Sequence, residues 1–398
     1  MDILIHPHTL QGDITIIPSK SQAHRLLICA AFADRPTEIL CPETSRDMDA
    51  TADCLRALGA QIQRTDKGYW VLPVETVPQH ALLNCCESGS TLRFLLPIAG
   101  ALGVDATFSM EGRLPQRPLS PLWEEMGRMG CVLSRPTETT LRCQGKLRAG
   151  TYTIDGSVSS QFITGLMLAL SLLREESRIE ITGKIESRPY IDLTHQALCL
   201  FGADPLHPGK NSLHSPDHIT VEGDWSNGAF FLAAQHLDPH SELRIHGLNE
   251  TSVQGDRAAA YWIPKLCREN CVIDASDIPD LVPILSVTAA ACHGAVFTNI
   301  QRLRIKESDR VASTIAMIQR LGGKAEATKD TLTVYPSELI GGTVDAVNDH
   351  RIAMSAAIAS TLCRQPVILL GAECVKKSYP KFWEEFSRLG GHYEQYLR

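Results

Sequence analysis

An α/β protein of two domains, each built from three small α+β units, is what the sequence predicts, and three observations predict it. Strand-like and helix-like stretches alternate along all 398 residues. A helix-like segment ending in Gly and running at once into a strand-like segment recurs at Gly59, Gly130, Gly202, Gly322 and Gly390, with a further copy at Asn270. Asn is the next-best residue for a left-handed helix C-cap. The markers are 52 to 72 residues apart, too far for a solenoid and suited to a unit of two helices and several strands. A seam is expected at Val221-Glu222-Gly223-Asp224, with three markers on either side.

Taken in order, Asp2 to Ile5 alternates as a strand does and is free to return and pair with the second half. Thr15 to Ile17 reads as a strand that leads into the helix His24 to Ala33. Tyr152 to Ile154 and Ile179 to Ile181 flank the apolar helix Gln161 to Leu172. After the seam come the apolar run Ala229 to Ala234, the long helix Leu281 to Ala291, and strands at Thr331 to Val334 and Val367 to Leu370.

Composition narrows the function. The net charge is -7 and the pI is near 6.1, which argues against nucleic acid as a partner. Thirteen cysteines, an odd number with no CxxC pair, fit neither a disulfide framework nor a zinc site; a cytoplasmic enzyme with reduced thiols is expected. Residues 1 to 17 do not read as a signal peptide, and the longest apolar stretches, such as Leu166 to Leu173, are far short of a membrane span. No cofactor, metal or membrane partner is expected.

In this acidic chain, cations sit on short motifs spread over its length. Pro18-Ser19-Lys20-Ser21-Gln22-Ala23-His24-Arg25 follows a strand and opens a helix that Ser19 or Ser21 can cap, with Lys20 and Arg25 beside its free NH groups. Glu87-Ser88-Gly89-Ser90-Thr91-Leu92-Arg93 repeats the device, and Arg93 is placed to support that turn. Ser157-Val158-Ser159-Ser160-Gln161 gathers hydroxyls and an amide at the head of an apolar helix, suiting phosphate or hydroxyl-rich ligands. Arg117 adds a cation in Gln116-Arg117-Pro118.

Later in the chain, Lys306-Glu307-Ser308-Asp309-Arg310 places Lys306 and Arg310 at i and i+4, on one face if helical, with the Glu307 carboxyl as an acid or base among cations. Asp280 precedes the long apolar helix as either a cap or a buried base. Asn348-Asp349-His350-Arg351 opens a small-residue helix, with His350 a structural hydrogen-bonding residue, and Lys377 lies in Cys374-Val375-Lys376-Lys377-Ser378-Tyr379-Pro380. The pattern points to one pocket for small ligands that carry several negative charges.

From Pro18 to Trp383 these motifs, with Ser187-Arg188-Pro189-Tyr190-Ile191-Asp192 and Ile278-Pro279-Asp280, resemble in content and order the EPSP synthase (3-phosphoshikimate 1-carboxyvinyltransferase) family of enolpyruvyl transferases. The resemblance implies an inverted barrel of six βαβαββ units in two domains that close over the substrates. It also implies a discontinuous domain of residues 1–12 plus 225–398, an inserted domain of residues 13–224, hinges near 12–13 and 223–225, and a monomer. It implies shikimate 3-phosphate contacts from Lys20, Ser21, Arg25, Ser159, Ser160, Gln161, Ser187, Tyr190, Asp280 and Lys306. Lys20, Gly89, Arg117, Gln161, Arg310, Arg351 and Lys377 would meet phosphoenolpyruvate. The catalytic groups would be Asp280, Glu307 and Lys20. Three positions depart from the family: Arg302 in place of Asn, Trp225 in place of a small residue, and Ser90 in place of Thr. The rival is the sister transferase acting on UDP-N-acetylglucosamine, whose Lys-Asn pair and loop Cys are missing here.

Overall fold

A computed structural model describes residues 1–173, 175–210 and 212–397. The chain begins β1 (Ile3–His6), β2 (Gln11–Thr15), α1 (Lys20–Ala31), β3 (Thr37–Leu40), α2 (Arg46–Ala57), β4 (Gln61–Arg64) and β5 (Gly68–Leu72). Next come β6 (His80–Asn84), α3 (Gly89–Leu102), β7 (Asp105–Ser109), α4 (Leu122–Arg128), β8 (Cys131–Thr137) and β9 (Thr140–Gly145). The third group is β10 (Thr151–Asp155), α5 (Ser160–Leu170), β11 (Arg178–Thr182), α6 (Arg188–Leu200) and β12 (His218–Thr220). Then follow α7 (Trp225–Leu237), β13 (Glu242–His246), α8 (Ala259–Leu266), β14 (Cys271–Asp274), α9 (Val282–Ala291), β15 (Ala295–Thr298), α10 (Arg310–Arg320), β16 (Lys324–Ala327) and β17 (Thr331–Tyr335). The chain finishes with β18 (Gly342–Asp345), α11 (His350–Ser360), β19 (Val367–Leu370), α12 (Phe382–Arg388) and β20 (His392–Gln395).

Packing divides the chain into an inserted unit, residues 18–222, and a flanking unit, residues 1–17 with 223 onward. The first boundary lies after Ile17 and not at 12–13, because β2 belongs to the flanking unit: it pairs in parallel with β13, from Gln11↔Glu242 to Thr15↔His246. The second boundary, 222/223, comes two residues before the expected 224/225. Each unit has its own apolar core.

The inserted unit holds sheets β12-β3-β5-β4, β6-β7-β9-β8 and β10-β11. The flanking unit holds β14-β15-β17-β16, β18-β19-β1-β20 and β13-β2. The recurring motif is clearest in β6–α3–β7, a parallel pair joined through a buried helix, extended by the antiparallel hairpin β8–β9. Parallel strands need such a crossover, and a helix apolar on every side, like α9, is stable only when covered all round. In the sheet β18-β19-β1-β20 the N-terminal strand β1 lies between β19 and β20, antiparallel to both.

The marker glycines at 59, 130, 202, 322 and 390 all have φ between 73° and 116°, the left-handed conformation in which glycine lacks the penalty of a side chain. Asn270 departs from this expectation: it is not among the positive-φ residues, and its Nδ2 donates instead to the His293 carbonyl at 3.0 Å. The Gly202 copy differs too, since turn and loop follow it and the next strand begins only at His218.

Candidate active site

In the inserted unit the N-termini of α1, α2, α3 and α5 are tied together by side chains. Ser19 caps α1, accepting from Gln22 N. Lys20 pairs with Asp47 at 2.8 Å, and the Asp47 carbonyl accepts from Thr91 Oγ1 at 3.4 Å. Ser88 caps α3 and Ser159 caps α5. Gln161 Nε2 donates to Ser90 Oγ at 3.0 Å, while its Oε1 accepts from Arg93 Nη1 at 3.1 Å. Arg93 also holds the Pro118 carbonyl at 3.1 Å, so it links α3 to Gln161 of α5 and to the segment that follows Arg117. Gathered helix N-termini present unsatisfied NH groups and positive dipole ends to an anion.

Gly89 is the first residue of α3, and a Cβ there would come within 2.7 Å of both Arg117 Nη1 and Arg93 Nη1. The missing side chain leaves room for the Arg117 guanidinium. Gly89→Ala is therefore expected to displace Arg117; with Arg117 meeting phosphoenolpyruvate, as the resemblance implies, KM for that substrate should rise roughly tenfold, equivalent to about 1.4 kcal/mol, with little effect on folding. Steady-state kinetics with that substrate varied checks this; an unchanged KM would contradict it.

Arg25 is almost fully buried and holds α1, α5 and α6 together. It donates to Thr194 Oγ1 at 2.8 Å, Thr164 Oγ1 at 3.2 Å, the Tyr190 carbonyl at 2.7 Å and the Ser21 carbonyl at 2.5 Å. These four bonds leave one of the five guanidinium N–H groups for a ligand. Burial brings Arg25 down to about 10. Ser187, in a left-handed conformation with φ 55°, precedes α6, and Tyr190 lies in its first turn.

Behind these helix ends runs a buried chain of hydrogen bonds, His24 Nδ1 to Thr51 Oγ1, Thr51 to Thr91, and Thr91 to Ser88, each 2.7 Å. Burial, with the nearby charges of Lys20 and Arg25, holds His24 well below the ordinary 6.5. The folded protein keeps it neutral while the unfolded chain protonates it. Stability is therefore intact above pH 6.5 and falls by about 1.4 kcal/mol per pH unit below it, down to the folded-state value. Urea unfolding between pH 7 and pH 5 should show this slope, reduced in His24→Gln; equal slopes in both proteins would refute it.

In the flanking unit, residues from the starts of α7, α9, α10 and α11 meet around Asp280. Its Oδ1 accepts from Arg310 Nη1 at 2.7 Å and lies 3.5 Å from Lys306 Nζ, and its Oδ2 is 3.4 Å from Arg351 Nη2. Arg310, with a side chain only 1% exposed, also binds Glu307 Oε2 at 2.7 Å and Asp349 Oδ2 at 2.9 Å. Asp349 further accepts from Ser308 Oγ at 2.9 Å and caps α11 through Arg351 N at 2.9 Å. Lys377 Nζ donates to the Asn348 carbonyl at 2.7 Å. That carbonyl lies in a turn where Val347 and Asn348 have φ of 45° and 57°, the first costly for a β-branched residue.

Burial pushes the Asp280 carboxyl up, but Lys306, Arg310 and Arg351 outweigh it and hold it well below the usual carboxylate range. Burial also lowers Lys306, opposed by Asp280 and reinforced by Arg310 and Arg302. For Arg310, burial is overcome by Asp349, Glu307 and Asp280, and it titrates well above an ordinary arginine. Arg351 Nη2 donates to Ser226 Oγ at 2.7 Å. Its Nε and Nη1 are buried with no acceptor, so they await a ligand oxygen or remain costly.

Two sequence readings are decided here. Lys306 and Arg310 do not share a helical face: residues 306–309 lie outside the helix, Asp309 caps α10, and Arg310 is its first residue. Both nevertheless reach Asp280. Asp280 does not cap α9, whose N-cap is Leu281; its carboxylate serves the cations instead. The cations are paired: Lys20 is matched by Asp47, and Lys306, Arg310 and Arg351 by carboxylates. An arriving anion therefore competes with resident carboxylates. Trp225 holds the start of α7, its backbone N donating to Gln254 Oε1 at 3.0 Å and its Nε1 to the Asn249 carbonyl at 2.9 Å.

Asp47, Ser226, Thr164, Thr194 and Asp349 were not singled out from sequence. Only Asp349 carried a signal, as the residue before a helix in a motif already noted. Among the described residues, no group of three His, Cys, Asp or Glu stands at metal-binding distance, and no helix is long and apolar enough to cross a membrane.

Two α/β units, each gathering arginines, lysines and hydroxyls at helix N-termini, with carboxylates set among the cations of one, define a class of enzyme acting on small multiply anionic substrates. Comparison with known proteins narrows the class. The model of the EPSP synthase (3-phosphoshikimate 1-carboxyvinyltransferase) family matches residues 5–386. The chain is 38% identical over 426 residues to the 3-phosphoshikimate 1-carboxyvinyltransferase of Clostridium kluyveri, covering 99% of this chain and 98% of that one. It is also 38% identical over 420 residues to that of Clostridium perfringens, covering 98% of each. In fold it is similar to EPSP synthase from Acinetobacter baumannii (TM-score 0.80, 20% identity, 100% of both chains). It is similar too to the enolpyruvyl transferase NikO from Streptomyces tendae (TM-score 0.77, 17% identity, 99% of this chain and 98% of that one). The chain belongs to the EPSP synthase family.

Proposed function

We propose that the chain transfers the enolpyruvyl group of phosphoenolpyruvate to the 5-hydroxyl of shikimate 3-phosphate, releasing phosphate, a step of the shikimate pathway to the aromatic amino acids. The relatives that carry this activity in their names support it, and they do not favour UDP-N-acetylglucosamine as acceptor. The observation from the structure that carries the reading is Arg351, buried with two nitrogens lacking an acceptor, beside Arg310 and a carboxylate.

The acceptor is assigned to Lys20, Ser21, Arg25, Ser159, Ser160, Gln161, Ser187, Tyr190, Asp280 and Lys306. Phosphoenolpyruvate is assigned to Lys20, Gly89, Arg117, Gln161, Arg310, Arg351 and Lys377. Each phosphate brings about -1.5 to -2 charges, and each substrate adds a carboxylate. Fixed cations and helix ends offset that repulsion and position the reactants. Asp280 takes the proton of the 5-hydroxyl as its oxygen attacks carbon 2 of phosphoenolpyruvate, and Glu307 protonates the methylene, with Lys20 assisting transfer. The tetrahedral adduct then expels phosphate as its methyl group returns a proton to Glu307, restoring the carbon–carbon double bond, and Asp280 passes its proton to the departing phosphate. As substrate anions engage Arg310 and Arg351, their hold on Asp280 weakens, and its basicity rises when a base is required.

Phosphate release on mixing shikimate 3-phosphate with phosphoenolpyruvate tests the reading. Release only with UDP-N-acetylglucosamine would overturn it. The enzyme is placed in the cytoplasm as a monomer without nucleic acid; sedimentation and fractionation check this.

A further inference from the structure

All thirteen cysteines are free thiols. Three pairs of them are side-chain neighbours: Cys54 with Cys85, Cys131 with Cys143, and Cys267 with Cys292. The first two pairs are wholly buried, whereas Cys267 and Cys292 are half-buried and within reach of solutes. Cys267 ends α8 and Cys292 ends α9. The backbone around them fixes the approach. Asn270 Nδ2 donates to the His293 carbonyl at 3.0 Å, and Cys271 stands in parallel register with Ala295, so the turns leaving the two helices run side by side into adjacent strands.

We propose that Cys267 and Cys292 form a reversible dithiol–disulfide site, oxidised by low-molecular-weight disulfides. The hydrogen bond from Cys292, helped by Arg268 and opposed by partial burial, lowers Cys267 from the ordinary thiol value; the same bond and burial raise Cys292. Cys267 is accordingly the attacking sulfur and Cys292 the resolving one. The Cys267 thiolate attacks one sulfur of RSSR, forming a mixed disulfide and expelling RS⁻. Cys292 then loses its proton and attacks the Cys267 sulfur, expelling the second RS⁻. Two electrons pass from the protein sulfurs to RSSR, and the two thiol protons end on two RSH. In a reducing compartment the bond is transient and reversed by dithiols. The loop it closes contains β14, Asp280 and α9.

The test is incubation of the reduced full-length protein with glutathione disulfide, followed by thiol counting in denaturant and peptide mapping without reduction. The expected result is one cross-linked peptide pair containing Cys267 and Cys292, with their two thiols lost from the count besides any glutathione adduct on the exposed Cys199, and full recovery of the thirteen thiols with dithiothreitol. Cys292→Ser should keep glutathione on Cys267 and form no cross-link, and Cys267→Ser should form no cross-link. Both variants should release phosphate at the wild-type rate before oxidation, which shows that they fold. Retention of all thirteen thiols, separate glutathione adducts on the two cysteines without a cross-link, or a cross-link between another pair would each overturn the proposal.

Discussion

Asp280→Asn lowers kcat by roughly 10²–10⁴-fold, the usual contribution of a positioned general base, while the protein stays folded and binds both substrates. The carboxylate is the common acceptor of Arg310, Lys306 and Arg351, and the amide keeps its shape without its basicity. Because the folded pKa is depressed, the stability Asp280 supplies is fully present above the ordinary carboxylate value, about 3.9, and is lost as pH falls through the lower folded one. Asp280 is thus ionised in the free enzyme across the working pH range, and the acid limb of kcat/KM must come from another group. The variant should therefore keep that limb while its plateau drops. Near-normal turnover with both substrates bound would remove Asp280 as the base.

Asp349→Ala is expected to destabilise the flanking unit by about 3–5 kcal/mol, the range for removing one partner of a buried ion pair. Asp349 is fully buried and accepts from Arg310 Nε, Ser308 Oγ and Arg351 N. Its loss leaves the buried Arg310 leaning on Asp280 and Glu307 alone and removes the cap of α11, a further contribution of about 1 kcal/mol. Asp349→Asn keeps a good capping residue and should cost less. Urea unfolding separates the three proteins: a change under 1 kcal/mol in the alanine variant would show that the other carboxylates suffice for Arg310.

Much of this arrangement was legible in the sequence, because the features that carry it are local. Strand β10 shows its buried Tyr152 and Ile154 by simple alternation, and α9 and α11 announce themselves as uninterrupted apolar or small-residue runs. The capping serines 19, 88 and 159 precede their helices as chemistry requires. The misreadings share one cause, that a short pattern fits two geometries. Lys306 and Arg310 have helical spacing, yet Asp309 between them is a helix cap, so the chain turns before Arg310 instead of after it. Asp349 looks like a cap and is one, which hides its second duty toward Arg310. Asp47 and Ser226 lie in ordinary helix starts, and only the tertiary fold brings them to Lys20 and Arg351.

The position of β1 between β19 and β20 has a consequence for how the chain is made. On the ribosome, the inserted unit has its full sequence once residue 222 has emerged, and it can condense while the flanking unit is still being synthesised. Strand β1 has neither neighbour until β19 and β20, more than 350 residues further along the chain, are out. Throughout elongation its apolar edge stays open to other nascent chains, the situation in which holdase chaperones matter most. Faster synthesis or a shortage of chaperone is then expected to lower the yield of active protein, and expression at two induction rates checks this.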